Sequence, residues 1–228
     1  MLKNIPSSWL ETANIGDNEN DVIEMIIDKL VQTKKISKYA YQVLQDICTP
    51  EERYGYWNDN ITVPLDLNWK LVHNVNFMCS IDTRLRSFYF KTFHKAIALN
   101  AFLFKIKRKD SPNCSFCGTR PETIIHLFCE CDIVTPLWYN LLQVILVKHD
   151  KDFSLDNFKK MFGVTSDKFL SFLFLSLKYF IYLCKFKNVR PHYEYFKKHL
   201  KSQKETEYYV AKKRGKLHLH FKKWKFDL

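Results

Sequence analysis

The chain has 228 residues, of which 46% are hydrophobic and 16% aromatic, and its formal net charge is +12. This composition excludes a disordered chain. The low numbers of glycine (five) and proline (seven) argue against a many-turned β-sandwich. A chain of this length forms a core without disulfides, and we predict an all-α, mainly helical fold.

The first 64 residues predict an N-terminal helical segment followed by a linker. Apolar residues recur at helical spacing over 18–33, and residues 35–47 have the pattern of a second helix. Two prolines, one glycine and several polar residues over 49–64 indicate the linker. No secretory signal and no uninterrupted apolar run of 18 residues is visible, so we expect a protein that is nuclear and/or cytoplasmic, not secreted, and not bound to a membrane.

Residues 65–148 are predicted to hold basic helices and a metal-binding stretch. A short helix is expected over 66–77, and Asp82 has the position of an N-cap for a helix over 83–97. In that second helix Leu85, Tyr89, Phe93 and Ala96 predict the packed face. The opposite face predicts a basic ridge of Arg84, Lys91 and Lys95.

Residues 149–228 are predicted to form C-terminal helices that end in a basic tail. Ser154 and Gly163 are candidate caps of one helix, and Ser166 is the candidate start of a long core helix. Hydrophobic and polar residues alternate over 216–221, which predicts a short strand near the C-terminus. The helices after the metal-binding stretch are predicted over 135–148, 154–163, 166–188 and 192–212.

The positive charge is concentrated in two places. Residues 185–228 carry 14 Lys and Arg against four Asp and Glu, and residues 84–109 carry eight basic residues without an acidic one. Such charge with interleaved aromatics suits a polyanion, most often RNA or DNA, whereas the simpler alternative is a solvated Lys-rich surface. The predicted nucleic-acid contacts are Arg84, Lys91, Lys95, Lys105, Lys107, Arg108, Lys109, Lys212, Lys213, Arg214, Lys216, Lys222, Lys223 and Lys225, with Trp224 as a candidate for stacking on bases.

Four residues have the spacing of a zinc site, C-x2-C-x8-H-x4-C: Cys114, Cys117, His126 and Cys131. Gly118 would allow the tight turn that brings the first two thiolates together, and Pro121 fits the first turn of a helix that carries the histidine. Three thiolates and one imidazole close a tetrahedral shell, so the zinc would be structural. Two alternatives stay open: Cys129 in place of Cys131, or reduced core cysteines without a metal.

The stretch 82–138 carries a family resemblance. Its order is a basic-aromatic helix, Asn100 and Leu103, the C-x-x-C pair, "ET" at 122–123, "HLF" at 126–128, a further Cys and Trp138. This order resembles the zinc-binding region that follows the polymerase in non-LTR (LINE-type) retrotransposon reverse transcriptases. "NIPSSW" (4–9) and "FIYLCKFKNVRP" (180–191) are similar to the same C-terminal portion. The resemblance implies one structural zinc held by the four residues above, and a role in holding template RNA and target DNA.

The expected function is a non-catalytic nucleic-acid-binding module from a larger RNA-directed DNA polymerase, whose polymerase and endonuclease domains are absent from this sequence. No adjacent Asp pair, phosphate-binding Gly-rich loop or nucleophile motif is visible, so we expect no enzyme activity of its own. The expected partners are RNA and/or DNA and a reverse transcriptase in cis or in trans. The alternative is a helical protein-interaction domain whose basic tail contacts an acidic partner.

Overall fold

The computed structural model describes residues 50–148 and 153–224, which are mostly helical. The chain divides into two compact units, Met1–Trp57 and Asn58–Leu228. The helices predicted over 18–33 and 35–47 lie outside the described residues, and the predicted division into 1–64, 65–148 and 149–228 stays a prediction. The helices are α1 (Pro50–Asn60), α2 (Trp69–Cys79), α3 (Thr83–Phe93), α4 (Asn100–Lys105), α5 (Thr135–Lys148), α6 (Asn157–Phe162), α7 (Lys168–Phe186), α8 (Tyr193–Lys213) and α9 (Leu217–Lys223).

Helix α1 corrects the predicted linker over 49–64. Pro50 occupies the first turn, where its missing N–H would have no helical partner in any case. Gly55 is tolerated inside the helix at a cost of about 1 kcal/mol relative to alanine. Tyr54 and Trp57 are buried, with relative exposures of 9% and 1%. Burial of these two large rings outweighs the local preference of the polar residues around them.

Helix α7 is the central core element of the second unit. It packs against α2, α3, α6 and α8, and ten of its apolar side chains are buried. Among the described helices, α7 is by its length and composition long and apolar enough to cross a membrane. The sequence had not predicted such a helix, because polar residues interrupt its apolar run. Because 72% of that apolar window is buried inside the protein, the structure supports the predicted core helix.

The caps explain where the helices around α7 begin and end. The predicted caps Asp82 of α3 and Gly163 of α6 are confirmed: Asp82 accepts a hydrogen bond from the Arg84 N–H, and Gly163 has φ +64°. Two predicted N-caps are wrong. Asp156 rather than Ser154 caps α6, and Asp167 rather than Ser166 caps α7, because each carboxylate accepts a hydrogen bond from a backbone N–H of the first turn.

The predicted basic ridge on α3 is only partly realised. Leu85, Tyr89 and Phe93 are buried as expected, and the Tyr89 hydroxyl donates to the Val72 carbonyl of α2 at 2.6 Å. The helix ends at Phe93, however, and Lys95 follows it with φ +56°. Lys95 is therefore not on the helical face predicted for it, and Ala96 is exposed rather than packed.

The short strand predicted over 216–221 is wrong, since α9 occupies these residues. His220 and Trp224 stand four residues apart and are both buried, so the segment buries a helical face. The Trp224 ring packs edge-on against Phe169 and Phe172 of α7 at centroid distances of 5.6 and 5.4 Å. This packing decides the conformation. The alternating pattern predicted a strand wrongly because one of its residues, His220, also lies at the helical spacing of four residues from Trp224.

Candidate metal centre and basic surfaces

The first two cysteines of the cluster lie in a tight turn. The Gly118 N–H donates to the Cys114 carbonyl at 2.9 Å, and Gly118 has φ +70°, a left-handed conformation that side chains disfavour. The Phe116 N–H points at the Cys114 sulfur at 3.5 Å, and the Thr119 hydroxyl donates to the Cys117 sulfur at 3.3 Å. The turn therefore brings both sulfurs to one side and surrounds them with hydrogen-bond donors.

The other two residues of the cluster lie at the ends of one helical turn. Pro121 does not open this turn, as had been predicted, but forms an isolated β-bridge with Asn113. A π-helical turn spans His126–Glu130, and Cys131 ends it by donating its N–H to the His126 carbonyl at 2.8 Å. The Trp138 indole N–H of α5 donates to the Phe128 carbonyl at 2.6 Å, which fixes this turn against the core.

The four candidate ligand atoms converge on one point. All lie within 4.8 Å of one another. The sulfurs of Cys114 and Cys131 are 3.9 Å apart, and the Cys117 sulfur is 3.3 Å from Nε2 of His126. In a tetrahedral zinc site with bonds of about 2.3 Å to sulfur and 2.0–2.1 Å to nitrogen, ligand atoms lie about 3.5–3.8 Å apart. The residues present therefore fit one tetrahedral zinc ion.

Cys129, the alternative ligand, is not part of the cluster. Its sulfur points instead toward the Asn157 carbonyl of α6, 4.0 Å away, and its side chain is buried in the core. Cys79 and Cys184 are also buried and free, and Cys48 lies outside the described residues. The geometry thus selects Cys131 over Cys129, because the side chains of these two cysteines point in different directions from the π-helical turn and its end.

The protonation preferences of the three thiols differ. Burial raises the pKa of Cys114 to about 12 and raises that of Cys131. Burial acts in the same direction on Cys117, but hydrogen bonds from Thr119, the Arg120 N–H and His126 outweigh it and lower that pKa to about 6. One thiolate is therefore favoured at neutral pH by the protein alone, and a cation would release the protons of the other two.

A buried carboxylate ties the cysteine turn to the rest of the domain. Glu122 is fully buried, and its Oε1 accepts from the Asn100 N–H at 2.8 Å and from Lys185 Nζ at 2.9 Å. Its Oε2 accepts from the Ser115 N–H, next to Cys114, at 2.7 Å. The Asn100 side chain donates to the Asn113 carbonyl at 2.6 Å. The cysteine turn, α4 and α7 thus meet at one carboxylate.

Sequence reasoning missed the structural role of Glu122, Asn100 and Lys185. The "ET" and Asn100 steps had been noted as part of the family pattern, but no pattern within the chain links them to Lys185, 63 positions after Glu122. The signal that could have drawn attention to Glu122 is an acidic residue inside a stretch otherwise rich in apolar and metal-ligating side chains, since a buried carboxylate requires a partner.

The structure exposes most of the predicted nucleic-acid contacts. Residues 105–109 and 212–216 each expose four basic side chains, although Lys109 Nζ also donates to the Asn100 side chain at 2.9 Å. Arg84 is exposed but pairs with Asp82 at 3.2 Å. Lys225 lies outside the described residues. The other exposed members of the set are Lys91, Lys95, Lys105, Lys107, Arg108, Lys212, Lys213, Arg214, Lys216 and Lys222.

Two residues of the predicted set are engaged in the core instead. Trp224 is only 7% exposed and donates its indole N–H to Glu207 Oε2 at 2.8 Å. Lys223 pairs with the same carboxylate at 2.7 Å, and its ammonium lies 3.5 Å from the centre of the Phe172 ring. Stacking of Trp224 on a base is therefore ruled out in this conformation, and Lys223 is not free to contact a phosphate.

Comparison with known families finds a match to the central part of the chain. A family model described as "zinc-binding in reverse transcriptase" matches residues 37–138, which include all four residues of the cluster. The matched model is that of a zinc-binding region and not of a catalytic polymerase domain. No curated protein and no solved structure matches the chain.

Proposed function

We propose that this chain is a non-catalytic nucleic-acid-binding module that holds one structural zinc ion and derives from a non-LTR (LINE-type) retrotransposon reverse transcriptase. The observation that carries the proposal is the Cys3His cluster inside a segment that matches a reverse transcriptase zinc-binding family. Cys114, Cys117, His126 and Cys131 would bind the zinc, which supplies folding free energy and no chemistry, because four protein ligands leave no position for a substrate.

The position of the basic segment supports nucleic acid as the partner. Lys105, the last residue of α4, is exposed, and so are Lys107 and Arg108, which lie between α4 and the first zinc cysteine. Glu122 connects the backbone of α4 at Asn100 with the cysteine turn at Ser115. A zinc-dependent framework thus holds a cluster of cations that would neutralise phosphates.

The experiment is a titration of the purified chain with a labelled single-stranded RNA and a labelled DNA duplex at several salt concentrations. We expect the logarithm of the affinity to fall steeply with the logarithm of salt, with about 0.7 units of slope for each contacted RNA phosphate and about 0.9 for duplex DNA. Lys105→Gln with Lys107→Gln should lower the RNA slope by about 1.4. The matched control replaces two exposed lysines outside this segment, Lys70 and Lys168, and should leave the slope unchanged.

A wild-type affinity for RNA and DNA that stays flat between low and moderate salt would contradict phosphate contacts. A second candidate function is a protein-interaction domain for an acidic partner, and it is favoured by Phe102, Phe104 and Ile106, which are 53%, 46% and 46% exposed beside the cations. Displacement of RNA by poly-glutamate at equal charge concentration would favour this second candidate, since charge alone would then account for the binding.

A further inference from the structure

Helices α8 and α9 form a hairpin with an open groove along one side. The chain reverses at Gly215, which has φ +64°, so that α9 packs back on α8. The groove has a volume of about 730 Å³, which is within the range of sites that bind small organic groups. Its lining includes four lysines and two glutamates from α8 and aromatic side chains from both helices.

One wall of the groove is cationic. Lys197, Lys201 and Lys204 follow one another at spacings of four and three residues, so they lie along one face of α8 at intervals of about one turn. Lys201 is exposed and forms no ion pair with any residue in 50–148 or 153–224, whereas Lys197 pairs with Glu194 at 2.7 Å. A row of cations at this spacing suits a chain of regularly spaced anions.

The same groove presents two aromatic rings to solvent. Tyr208 of α8 is 39% exposed and Phe221 of α9 is 59% exposed, and their ring centroids are 6.3 Å apart. The rings stand on a fixed frame, because Glu207 binds both Lys223 of α9 and Trp224, which follows that helix. Tyr208 and Phe221 thus have the accessible aromatic faces that the buried Trp224 lacks.

A buried polar atom in the lining also lacks a partner. His220 is 7% exposed, and its Nε2 donates to the Lys204 carbonyl at 3.1 Å, so the proton resides on that nitrogen. Nδ1 is then an acceptor, and it receives no hydrogen bond from the described part of the chain. Amino groups and the imino N–H groups on nucleobase edges, such as that of uracil, are donors of the kind that would satisfy it.

We propose that the α8–α9 groove binds single-stranded nucleic acid, with an unpaired base against Tyr208 and Phe221 and phosphates along Lys197, Lys201 and Lys204. This inference rests on the proposed function and assigns it a second contact surface, separate from the segment beside the zinc cluster. A single strand is required because paired bases in a duplex hide the faces that aromatic side chains contact. An acidic peptide would use the lysines but would gain little from the aromatic pair.

The test compares the affinity of the 228-residue chain for a labelled oligouridylate and for a labelled DNA duplex at one moderate salt concentration. Tyr208→Ala with Phe221→Ala should weaken single-strand binding about tenfold or more and change duplex binding less than about twofold. Phe221→Trp should keep the wild-type affinity. The matched control is Tyr139→Ala with Phe186→Ala, which removes two rings that are 61% and 64% exposed and are not part of the groove lining. Circular dichroism and zinc content verify that each variant is folded.

The outcomes separate this inference from the proposed function. If the groove variant binds oligouridylate as tightly as the wild type does, the groove assignment is overturned, while wild-type binding still supports the proposed function. If the wild type binds neither oligouridylate nor duplex, both fail. If replacing the lining lysines (Lys201→Gln with Lys204→Gln) lowers affinity for poly-glutamate but not for oligouridylate, the groove belongs to an acidic protein partner and the assignment is again wrong.

Discussion

Replacing Glu122 by glutamine tests how the cysteine turn is held to the rest of the domain. The carboxylate is fully buried and accepts three hydrogen bonds, from the backbone N–H groups of Asn100 and Ser115 and from Lys185 Nζ. Glutamine keeps the shape, but it has one acceptor oxygen and replaces the other by an NH2 group. One of the donors would then face another donor, and the Lys185 ammonium, whose side chain is 10% exposed, would lose its counter-charge.

The expected loss of stability follows from these contacts. Removing one partner of a buried ion pair costs about 3–5 kcal/mol. The side-chain oxygen of Asn100 still accepts from Lys185 Nζ at 3.2 Å, so we expect the lower end, about 3 kcal/mol. A domain of this kind has a free energy of unfolding of about 5–15 kcal/mol, and the variant should therefore fold but unfold at a clearly lower urea concentration.

The assay is urea unfolding of the zinc-loaded wild type and Glu122→Gln at neutral and acidic pH. Burial raises the pKa of Glu122, but hydrogen bonds from Ser115 and Lys185 outweigh it and hold the pKa below its ordinary value. The contribution of Glu122 is thus present above the ordinary carboxyl pKa and is lost as pH falls through the folded value, so the difference between the proteins should narrow below about pH 4. Glu205→Gln, at an exposed site, is the control and should change stability by less than about 0.5 kcal/mol. A Glu122→Gln variant as stable as this control would refute the reasoning.

Three further predictions concern single positions. Burial lowers the pKa of Lys178 to about 8, which corresponds to a cost of about 3 kcal/mol for keeping the charge at pH 7. Lys178→Met removes this cost but also removes the hydrogen bond to the Met161 carbonyl, worth about 1 kcal/mol, so the variant should be more stable by about 2 kcal/mol at pH 7. This gain in stability should shrink between about pH 8 and pH 10.5, where Lys178 is protonated in the unfolded chain and not in the folded one. A gain in urea unfolding that does not change with pH would contradict the prediction. Gly118→Ala has free space for a Cβ but φ +70°, so we expect a cost of about 1 kcal/mol and faster zinc loss to a chelator, and an unchanged rate would count against the strained turn. Trp138→Phe leaves the buried Phe128 carbonyl without its donor and should cost about 1–3 kcal/mol in thermal unfolding, whereas an unchanged melting temperature would argue against that bond.

The features that could be predicted from the sequence are those set by neighbouring residues. The spacing of Cys114, Cys117, His126 and Cys131 places each pair on one turn, so the cluster forms from short-range geometry. Asp82 and Gly163 likewise act on their own helix ends. The all-α class follows from the same kind of information, since helical periodicity and caps lie within a few positions of one another.

The features that could not be predicted depend on contacts between distant segments. Trp224 is an aromatic residue in a basic tail, which is typical of a base-stacking residue. Only its contacts with Phe169 and Phe172 of α7 show that it is buried. The pairing of Glu122 with Lys185 joins residues 63 positions apart. Residues 216–221 alternate as a strand would, but the apolar surface available to them selects a helix.

Zinc content after dialysis against a moderate chelator tests the central claim most directly, with wild type, Cys131→Ser and Cys129→Ser measured side by side. The two cysteines are two positions apart, but only the sulfur of Cys131 lies in the cluster. The account predicts about one zinc per chain for the wild type and for Cys129→Ser, and a large loss for Cys131→Ser. A wild type without zinc, or a Cys129→Ser variant that loses zinc while Cys131→Ser retains it, would contradict the account.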